Sequence, residues 1–580
     1  MISSLKSSMR AFFTLLILSP TLLLAELKVP HFFSDHMVLQ RDRPAAIWGK
    51  ADADTEVIVS FKGKSANAKA NAQGRWKVQI ETGTADATGA VLTITAGADK
   101  IAIQDVLVGE VWFASGQSNM YYTMNRSPEY AELMAESNYP ALRMFNAPLV
   151  TAEENQDDIA GVWIAATPET VANFSAVAFF FARKLHQELQ VPIGVIKSAW
   201  GGKPVETFTS REALNTLPST KALVDALMKD EANYDQAKAD AAYAAKLEQW
   251  KATLAAAKGK SAEQRARLPK KPDIPKRPLL TEGKPGVLYA SMIHPFAGYT
   301  MRGAIWYQGE ANARPGAVPY DQTLPLMIRD WRARWGDDFS FYFVQLANFH
   351  APSTAPGTPD SWALTQDRMR LVLSTTPKTG MAIINDIGDA NDIHPKNKKD
   401  PGERLARWAL AKDYGKQIIY SGPLYHGSMI QDGAIRVTFD QAGEGLKSRD
   451  GGPLKRFEIA GADKIWKWAE AVIDGKDAVI VRSAEIKTPV AVRYAWAANP
   501  EGANLVNSDG LPASVFRTDD WDDVQPRGDS ATLSRRALAE QIKALAAERN
   551  KHDKKSPEYK ELQKRIQPLM EKFKASGPNK

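Results

Sequence analysis

The feature that most constrains the fold of this chain is a regular alternation of strand-like and helix-like segments between Val106 and about Asp413. Short runs of branched and aromatic residues, such as VLVGEVWFAS, VPIGVIKSAW and MAIINDIG, alternate with helical stretches such as SAVAFFFARKLHQELQ. This alternation predicts a mostly parallel sheet with helices on both faces. In such sheets the functional loops gather at the carboxyl ends of the strands, so candidate site residues are expected there.

Two stretches with a different pattern flank this α/β region. From Leu27 to about Lys100, and again from about Gln417 to Trp521, apolar and polar residues alternate in short segments separated by turn residues. This pattern predicts short strands and therefore a small β-sandwich-like domain on each side. The 580 residues are in any case too many for one core, at about 100–200 residues per domain.

We therefore predict five regions in chain order. They are a signal peptide (1–25), an N-terminal β-sandwich domain (26–104), an α/β domain (105–415) with a helical insertion at about 212–283, a C-terminal β-domain (416–526), and a basic helical tail (527–580). Within the insertion, Ala222–Lys258 is rich in alanine and charged residues, which favours helix, and a proline-rich linker follows. The pattern indicates a helical hairpin that acts as a spacer or a lid. In the tail, apolar residues at helical spacing predict an amphipathic pair of helices.

The distribution of charge argues against a nucleic-acid partner. The chain carries a formal charge of +7, but residues 529–580 alone hold 13 Lys and Arg against 7 Asp and Glu, and Lys6 and Arg10 lie in the leader. The body of the protein is therefore close to neutral. The chain contains no cysteine, which excludes thiol catalysis, disulfides and thiolate metal sites.

The first 25 residues have the composition of a secretory leader. Lys6 and Arg10 precede the apolar run from Ala11 to Leu24, and the small residue Ala25 is followed by Glu26. The run is shorter than the roughly 20 residues that span a bilayer. We predict a signal peptide cut near Ala25/Glu26, a secreted or periplasmic protein, and no membrane span after cleavage; an uncleaved anchor is the alternative.

Two passages at predicted strand ends carry candidates for nucleophilic catalysis. Ser118 lies in a glycine turn where a strand gives way to a helix, which exposes its hydroxyl above the sheet. His394 lies in a loop two residues after Asp392, so an imidazole and a carboxylate are available as a base and its orienting group. Taken singly, each passage also fits a structural role, as a helix cap or as a surface hydrogen bond.

Two further passages carry candidate donors and sugar contacts. Gly201 and Gly202 form a turn whose N–H groups can face an oxyanion. After another strand, WYQGEAN offers amide donors and aromatic rings that can stack on a sugar. The sequence contains no HExxH, EF-hand loop, Walker A or GxGxxG motif, so we expect no metal and no cofactor.

Taken together, the motifs GQSNM, SAWGGKPVETF, WYQGEANA, DIGDANDIHPKNK and GERLA resemble, in order and spacing, those of the sialate O-acetylesterases, a branch of the SGNH hydrolases. With the opening strands and the closing stretch RYAWAANPEGANLVNSDGLPASVFRTDDW, the resemblance covers roughly residues 27–521. It implies a flavodoxin-like SGNH core and an esterase that removes acetyl groups from sugar hydroxyls in two steps.

The resemblance also implies roles for individual residues. Ser118 would be the nucleophile and His394 the general base. The oxyanion hole would comprise the N–H of Ser118, an N–H of Gly201 or Gly202, and the side chain of Gln308. The residues assigned to substrate binding are Trp200, Tyr307, Glu310 and Asn312.

The acid partner of His394 stays open at this stage. The wider superfamily places its acid three residues before the histidine, where this chain has Asn391. Asp392 is the preferred partner, and Asp386, Asp389 or a backbone carbonyl are the alternatives. His294 and His350 also lie in the α/β region, where a structural role is favoured for each.

Two other functions fit the same residues. An esterase for acetylated xylan or another polysaccharide would use the same mechanism, and a cleft cation such as Arg314 or Lys203 would favour the carboxylate of sialic acid. A non-catalytic carbohydrate-binding protein is the third possibility, but a binder has no need for Ser118, a glycine turn and a loop histidine together. The expected partner is thus an acetylated sugar or polysaccharide, and the sequence leaves the oligomeric state open.

Overall fold

The computed structural model describes residues 26–133, 138–257 and 268–521, and in the tail residues 542, 545–546, 548–552 and 556–575. The predicted leader and most of the first predicted tail helix lie outside the described residues. Within the described part of the chain, no helix combines the length and the apolar character needed to cross a bilayer.

The amino-terminal region consists of short strands, as its alternating pattern predicts. These are β1 (Val38–Gln40), β2 (Ala45–Lys50), β3 (Glu56–Phe61), β4 (Lys64–Lys69), β5 (Arg75–Ile80) and β6 (Asp86–Ala96). On β5 the side chains of Trp76, Val78 and Ile80 are buried, while the residues between them face solvent. Strands β2 and β5 pair with each other, and β3 pairs with both β4 and β6, in every case antiparallel.

The central sheet carries the α/β region. Its strands are β7 (Asp99–Gly116), β8 (Tyr139–Asn146), β9 (Trp163–Ala166), β10 (Ile193–Ala199), β11 (Gly303–Tyr307), β12 (Ser340–Val344) and β13 (Thr379–Ala382). They lie in the order β9-β8-β10-β7-β11-β12-β13, and all pairs are parallel except β8 with β9. Five of them, β10-β7-β11-β12-β13, follow the 2-1-3-4-5 order of flavodoxin-like sheets, with β8 and β9 added outside β10.

Strand β7 joins the amino-terminal region to the central sheet without a break. Its first half pairs with β6 and β1, and its second half pairs with β10 and β11. The predicted boundary between residues 104 and 105 falls inside this strand. Sequence patterning missed the continuity because a long strand and two successive short strands have the same alternation.

Helices cover both faces of the central sheet. They are α1 (Ser118–Tyr121), α2 (Tyr130–Leu133), α3 (Pro168–Val171), α4 (Ala176–Leu189), α5 (Arg211–Leu214), α6 (Pro218–Ala232), α7 (Gln236–Ala256), α8 (Tyr320–Trp335), α9 (Ser361–Thr375) and α10 (Lys399–Lys412). Alternate residues of β7 enter different cores: Val111 and Phe113 lie in the cluster that includes α8, whereas Trp112 and Ala114 lie in the cluster that includes α4 and α10. This two-sided burial explains why the central strands are continuously apolar.

The insertion contains the predicted helices. Helix α6 buries Thr220, Val224 and Leu227, whereas α7 has no buried residue and little amphipathic character. Short helical turns complete the region, at Met124–Arg126, Val205–Phe208, Pro278–Leu280, Tyr289–Ile293 and His294–Phe296.

The carboxyl-terminal region is again built from strands. They are β14 (Leu424–Gln431), β15 (Ala434–Asp440), β16 (Lys447–Ser448), β17 (Phe457–Ala460), β18 (Trp466–Trp468), β19 (Glu470–Asp474), β20 (Ala478–Arg482), β21 (Ala491–Tyr494), β22 (Leu505–Val506) and β23 (Phe516–Arg517). Two antiparallel four-stranded sheets, β14-β15-β20-β19 and β18-β17-β21-β23, share one hydrophobic core. In the tail, α11 (Pro557–Ala575) buries Ile566.

This region also braces the loops that follow β12 and β13. The amide of Asn385 donates to the carbonyl of Ala513 at 3.0 Å, and the backbone N–H of Phe349 donates to the carbonyl of Ala498 at 2.8 Å. The loop after β13 carries His394, so the carboxyl-terminal β-region helps to position the candidate site.

Candidate active site

Three candidate passages leave the central sheet at one point. Gly116 at the end of β7 lies in register with Ala199 at the end of β10 and with Tyr307 at the end of β11. From β7 the sheet is extended on one side by β10 and on the other side by β11, so the strand order reverses direction at β7. Such a position is a topological switch point. Open α/β sheets bind their ligands at such a point, outside the carboxyl ends of the strands.

A tight turn brings Ser118 to this point. Gly116 has φ of +138°, and a Cβ at this position would lie 2.2 Å from the carbonyl oxygen of Tyr307, so only glycine fits. Helix α1 begins at Ser118, two residues later, and the side chain of Gln117 accepts the backbone N–H of Ala311 at 3.3 Å. The chain therefore turns from strand to helix within two residues and leaves Ser118 partly exposed.

Ser118 and His394 meet although 276 residues separate them in the chain. The Oγ atom of Ser118 lies 2.8 Å from Nε2 of His394, and the imidazole side chain keeps 30 % of its exposure. A hydroxyl hydrogen-bonded to an imidazole is the geometry of an activated nucleophile and its general base.

Asp392 is the carboxylate that contacts His394. Its Oδ1 lies 3.2 Å from Nδ1 of the imidazole and accepts the backbone N–H of His394 at 2.9 Å. The backbone N–H is the main cause that holds the pKa of Asp392 below its ordinary value, with the imidazole adding to it. The side chain of Asp392 is 49 % exposed, so water screens its charge more than in a buried triad.

The other candidate acids make different contacts. Asp386 accepts hydrogen bonds from Arg404 at 2.7 and 3.0 Å and from Arg449 at 3.2 Å. Asp389 accepts the backbone N–H of Asn391 at 2.8 Å, which closes a turn of the loop. The geometry therefore favours Asp392 over both.

Gly201 lies against Ser118. A Cβ at Gly201 would be 3.4 Å from the Cβ of Ser118, whereas a Cβ at Gly202, where φ is +70°, would meet nothing within 4 Å. The N–H groups of both glycines donate no backbone hydrogen bond to the residues that the structure describes. The N–H of Ser118 begins a helix and has no partner within it. These groups are the donors available beside Ser118.

Gln308 lies behind this site and not in it. It is fully buried, and its Nε2 is 2.8 Å from Oδ1 of Asn312 and 3.2 Å from both Oε1 of Gln117 and the carbonyl of Lys203. Its two amide hydrogens thus have acceptors inside the protein. The side chain thus ties together the loops that carry Gln117, Lys203 and Asn312, and its role beside an oxyanion stays a prediction.

Two of the four residues expected to bind substrate, Tyr307 and Asn312, are buried, whereas Glu310 and Trp200 are partly exposed. Tyr307 is fully buried, and Asn312 donates to both carboxylate oxygens of Glu206 at 3.1 and 3.0 Å. The Oε2 atom of Glu310 is buried and has no hydrogen-bond partner among the described residues. Trp200 is partly exposed next to Gly201 and carries an aromatic ring, which suits a sugar face, whereas the Oε1 atom of Glu310 is bound by Asn119.

The remaining candidates lie at or beyond the rim. Lys203 lies 3.5 Å from the carboxylate of Glu282, and Arg314 is exposed. His350 is exposed in the loop after β12, with its ring 3.9 Å from that of Phe349. His294 precedes β11, at the opposite end of the strands, and its Nδ1 contacts the carbonyl of Gln156 at 3.0 Å.

A separate polar hollow lies at the opposite edge of the sheet. It has a volume of about 430 Å³ and is lined by residues that begin β12 and β13, including Ser340 and Thr379. Arg302, which also lines it, already pairs with Glu110 at 2.9 Å. The hollow is therefore remote from Ser118 and does not belong to the candidate site.

Sequence reasoning overlooked two buried residues of the site, Asn119 and Lys398. The Nζ of Lys398 donates to Oδ1 of Asn119 at 2.5 Å, and both residues are at most 1 % exposed. Burial lowers the pKa of Lys398 to about 7 and raises that of Glu310. Asn119 lies within the motif GQSNM, and Lys398 lies within DIHPKNK. The available signal was their position beside Ser118 and His394.

A parallel α/β sheet with a serine and a histidine joined at its switch point defines the class of hydrolases that use an activated serine hydroxyl. The described residues contain no group of three His, Asp or Glu side chains arranged to hold a metal ion.

Comparison with known proteins narrows this class. A crystal structure of a carbohydrate acetylesterase from Xanthomonas citri is 35 % identical, covers 85 % of this chain and 100 % of its own, and superposes with a TM-score of 0.71. Sialate O-acetylesterases from Mus musculus and Homo sapiens are 29 % and 28 % identical, over 84 % and 81 % of this chain and 93 % and 87 % of their own length. No protein-family model matches the chain. The chain belongs to the carbohydrate acetylesterase family that includes the sialate O-acetylesterases, and it is a carboxylic ester hydrolase.

The contacts of Asp392 lead to a first prediction. We expect Asp392→Asn to lower kcat/KM for 4-nitrophenyl acetate by about 10- to 100-fold, less than the roughly 10⁴-fold known for a buried triad aspartate, because water already screens this carboxylate. Since the pKa of Asp392 is held below its ordinary value, the carboxylate stays charged from about pH 5 to pH 8, and the variant should be slower than wild type throughout this range of the kcat/KM profile.

Asp389→Asn is the matched control, because it removes the same charge from the same loop. It should change kcat/KM by less than about threefold. A larger loss for Asp389→Asn than for Asp392→Asn would assign the acid to Asp389.

Proposed function

We propose that this protein removes O-acetyl groups from carbohydrate hydroxyls through an acetyl-enzyme intermediate. The single observation that carries the mechanism is the 2.8 Å contact between the Oγ of Ser118 and the Nε2 of His394 at the switch point of the sheet. The printed names of its relatives, a carbohydrate acetylesterase and sialate O-acetylesterases, support the substrate class. The proposal includes an SGNH-type core at about residues 105–415 as the catalytic domain.

Acylation starts from the Ser118–His394 hydrogen bond. Nε2 of His394 accepts the hydroxyl proton while Oγ attacks the acetyl carbonyl carbon, and the carbonyl oxygen becomes an oxyanion. Asp392 orients the ring through Nδ1 and stabilises the imidazolium that forms. The imidazolium then returns the proton to the departing sugar oxygen, which leaves Ser118 acetylated.

Backbone groups stabilise the oxyanion in this proposal. The N–H groups of Ser118 and of the Gly201–Gly202 turn lie beside the nucleophile, and a preorganised donor of this kind is typically worth about 10²- to 10³-fold in rate. Gln308 contributes indirectly by holding Gln117 and the carbonyl of Lys203 in place. In the second half of the reaction, His394 takes a proton from water while the water oxygen attacks the acetyl carbonyl carbon, and the imidazolium then returns that proton to Oγ of Ser118 as the acetyl group leaves as acetic acid.

Trp200 is the residue we propose for sugar stacking. It lies directly before Gly201 and is partly exposed, and the Nζ of Lys203 lies 5.7 Å from its ring centroid. An aromatic face can bind the C–H face of a sugar ring while its acetyl group reaches Ser118.

Export is the second part of the proposal. The basic and apolar pattern of residues 1–25 supports a cleavable leader, and the described residues include no spanning helix. Amino-terminal sequencing of protein recovered from the periplasm or medium is expected to begin at or near Glu26. Protein that keeps residue 1 and sediments with membranes would instead indicate an uncleaved anchor.

The proposed function is tested by measuring acetate release from three acetylated substrates. 4-Nitrophenyl acetate, O-acetylated sialic acid and acetylated xylan would be incubated with equal amounts of folded protein, and acetate would be measured directly. Release from a carbohydrate is the expected result, and the preferred sugar separates a sialate esterase from a polysaccharide esterase. If folded protein releases acetate from none of them but binds sugar, the carbohydrate-binding alternative is correct.

A further inference from the structure

A buried chain of hydrogen bonds runs beneath the Ser118–His394 pair. The Nζ of Lys398 donates to Oδ1 of Asn119 at 2.5 Å, and Nδ2 of Asn119 donates to Oε1 of Glu310 at 2.5 Å. The same Nδ2 lies 3.1 Å from the carbonyl oxygen of Ile393. One asparagine side chain thus connects a lysine, a glutamate and the backbone of the histidine loop.

These hydrogen bonds lie next to the two residues of the proposed reaction. Asn119 follows Ser118 directly in helix α1, and Ile393 directly precedes His394. A shift in the Asn119 side chain would therefore change the separation between the helix and the loop that form the 2.8 Å contact. In catalytic sites, a displacement of about 1 Å can cost roughly 10²-fold in rate.

The surroundings of Lys398 offer its amine two aromatic rings and one hydrogen-bond acceptor. The residue is fully buried, and its Nζ lies over the rings of Tyr122 and Tyr307, at 4.6 and 5.5 Å from their centroids. Within the part of the chain that the structure describes, no carboxylate lies within ion-pair distance of this amine, so Asn119 is its hydrogen-bond acceptor. A buried amine and a buried carboxylate are costly to desolvate, and that cost argues for a specific role in holding Asn119.

The two ionisable residues of this hydrogen-bonded group, Lys398 and Glu310, lie on either side of the Asn119 amide. The amine and the carboxylate fix its orientation, because Oδ1 must face the donor Lys398 and Nδ2 must face the acceptor Glu310. The orientation that these partners select is the one that presents Nδ2 to the carbonyl of Ile393.

We propose that Lys398, Asn119 and Glu310 are positioning residues that lock the His394 loop onto the Ser118 helix. The role rests on the proposed function only in that Ser118 must be the nucleophile. The three residues contact neither the ester nor the proton that moves from Ser118 to His394. They act by holding Nε2 of His394 within hydrogen-bond reach of the serine hydroxyl.

The main test is Lys398→Met, which keeps an unbranched side chain of similar bulk but removes the donor. For 4-nitrophenyl acetate we expect kcat to fall by about 30- to 100-fold and KM to change by less than about twofold. Covalent labelling of Ser118 by a fluorophosphonate, which needs the same Ser118–His394 geometry but no acetyl group, should slow by a similar factor. Lys396→Met, an exposed lysine in the same loop, is the matched control and should retain wild-type rates.

Glu310 provides a test by conservative replacement. Glu310→Gln keeps an oxygen acceptor for Nδ2 of Asn119 and should retain kcat within about threefold, whereas Glu310→Ala should lose about 10-fold or more. A role in packing alone predicts that the two variants differ in the free energy of unfolding but not in the labelling rate of Ser118.

A double-mutant cycle completes the test and remains usable if Lys398→Met folds poorly. Asn119→Ala should cost as much as Lys398→Met, and the double variant should be no slower than Asn119→Ala, because both changes break one link. Additive losses, or a Lys398→Met variant with wild-type kcat and labelling rate, would overturn the proposal. If wild-type protein labels at Ser118 but releases no acetate, the proposed substrate is wrong while the positioning role is still tested by labelling.

Discussion

Ser118→Ala is expected to abolish esterase activity, with kcat/KM for 4-nitrophenyl acetate at least about 10⁴-fold below wild type. In the proposed mechanism the variant lacks the oxygen that forms the acetyl-enzyme, and what activity persists would come from water attacking an ester bound beside the backbone donors. The Oγ hydrogen bond to His394 is the one side-chain contact described for Ser118, so the free energy of unfolding should change by less than about 1 kcal/mol.

Ser374→Ala is a suitable control for this experiment. Ser374 is exposed on α9, and its hydroxyl donates only to the carbonyl of Leu371 at 2.9 Å. Its kcat/KM should match wild type. Mass spectrometry after fluorophosphonate treatment should place the label on the peptide that contains Ser118. A Ser118→Ala protein that keeps more than about 1 % of activity, or still takes up the label, would show that another residue is the nucleophile.

His394→Ala is expected to have the next largest effect, a loss of about 10³- to 10⁴-fold in kcat/KM. Without the imidazole, the Ser118 hydroxyl has no acceptor for its proton, and with an acetylated sugar as substrate the leaving oxygen has no donor either. The variant should show no burst of 4-nitrophenol, because acylation itself becomes slow. Free imidazole, which can enter the space left by the partly exposed side chain, should restore part of the activity.

His350→Ala serves as the matched histidine control. His350 lies in the neighbouring loop after β12, where its exposed ring packs against that of Phe349 at a tilt of 39°. Its removal should change kcat/KM by less than about threefold. If His350→Ala lost as much activity as His394→Ala, or if His394→Ala labelled with fluorophosphonate at the wild-type rate, His394 would not be the general base.

The Ser118–His394 pair was accessible from sequence because each partner lies in a distinctive local context. A strand of branched residues that ends in Gly-Gln-Ser predicts a turn, and parallel strands in one sheet must end at one edge. The motifs after β7, β10, β11 and β13 were therefore expected to converge, and in the structure the first three lie in register at residues 116, 199 and 307.

The choice among the acids needed the tertiary structure. Asp386, Asp389 and Asp392 lie within seven residues of one loop and are chemically alike. Their contacts differ because Arg404, from the helix that follows the loop, and Arg449, from the carboxyl-terminal β-region, bind Asp386. The loop turns Asp392 toward the imidazole. No local pattern specifies which aspartate an arginine elsewhere in the chain will meet.

The tertiary structure was also needed to tell which residues of the WYQGEAN passage are buried. Aromatic and amide side chains in a loop suit both a sugar site and a core, and only the family resemblance assigned them to the sugar. In the structure Tyr307 and Gln308 are fully buried, and Asn312 is bound to Glu206. The passage supports the site from below, and Trp200, from the neighbouring loop, is left at the surface.

Local patterning was thus sufficient for the order of strands and helices, the turn that exposes Ser118, and the family resemblance, because these depend on residues close together in the chain. The continuity of β7 across two regions, the partner of His394 and the burial of Lys398 depend on contacts between segments far apart in sequence. The free energies of such contacts come from desolvation and hydrogen-bond geometry, which exist only once the chain is folded.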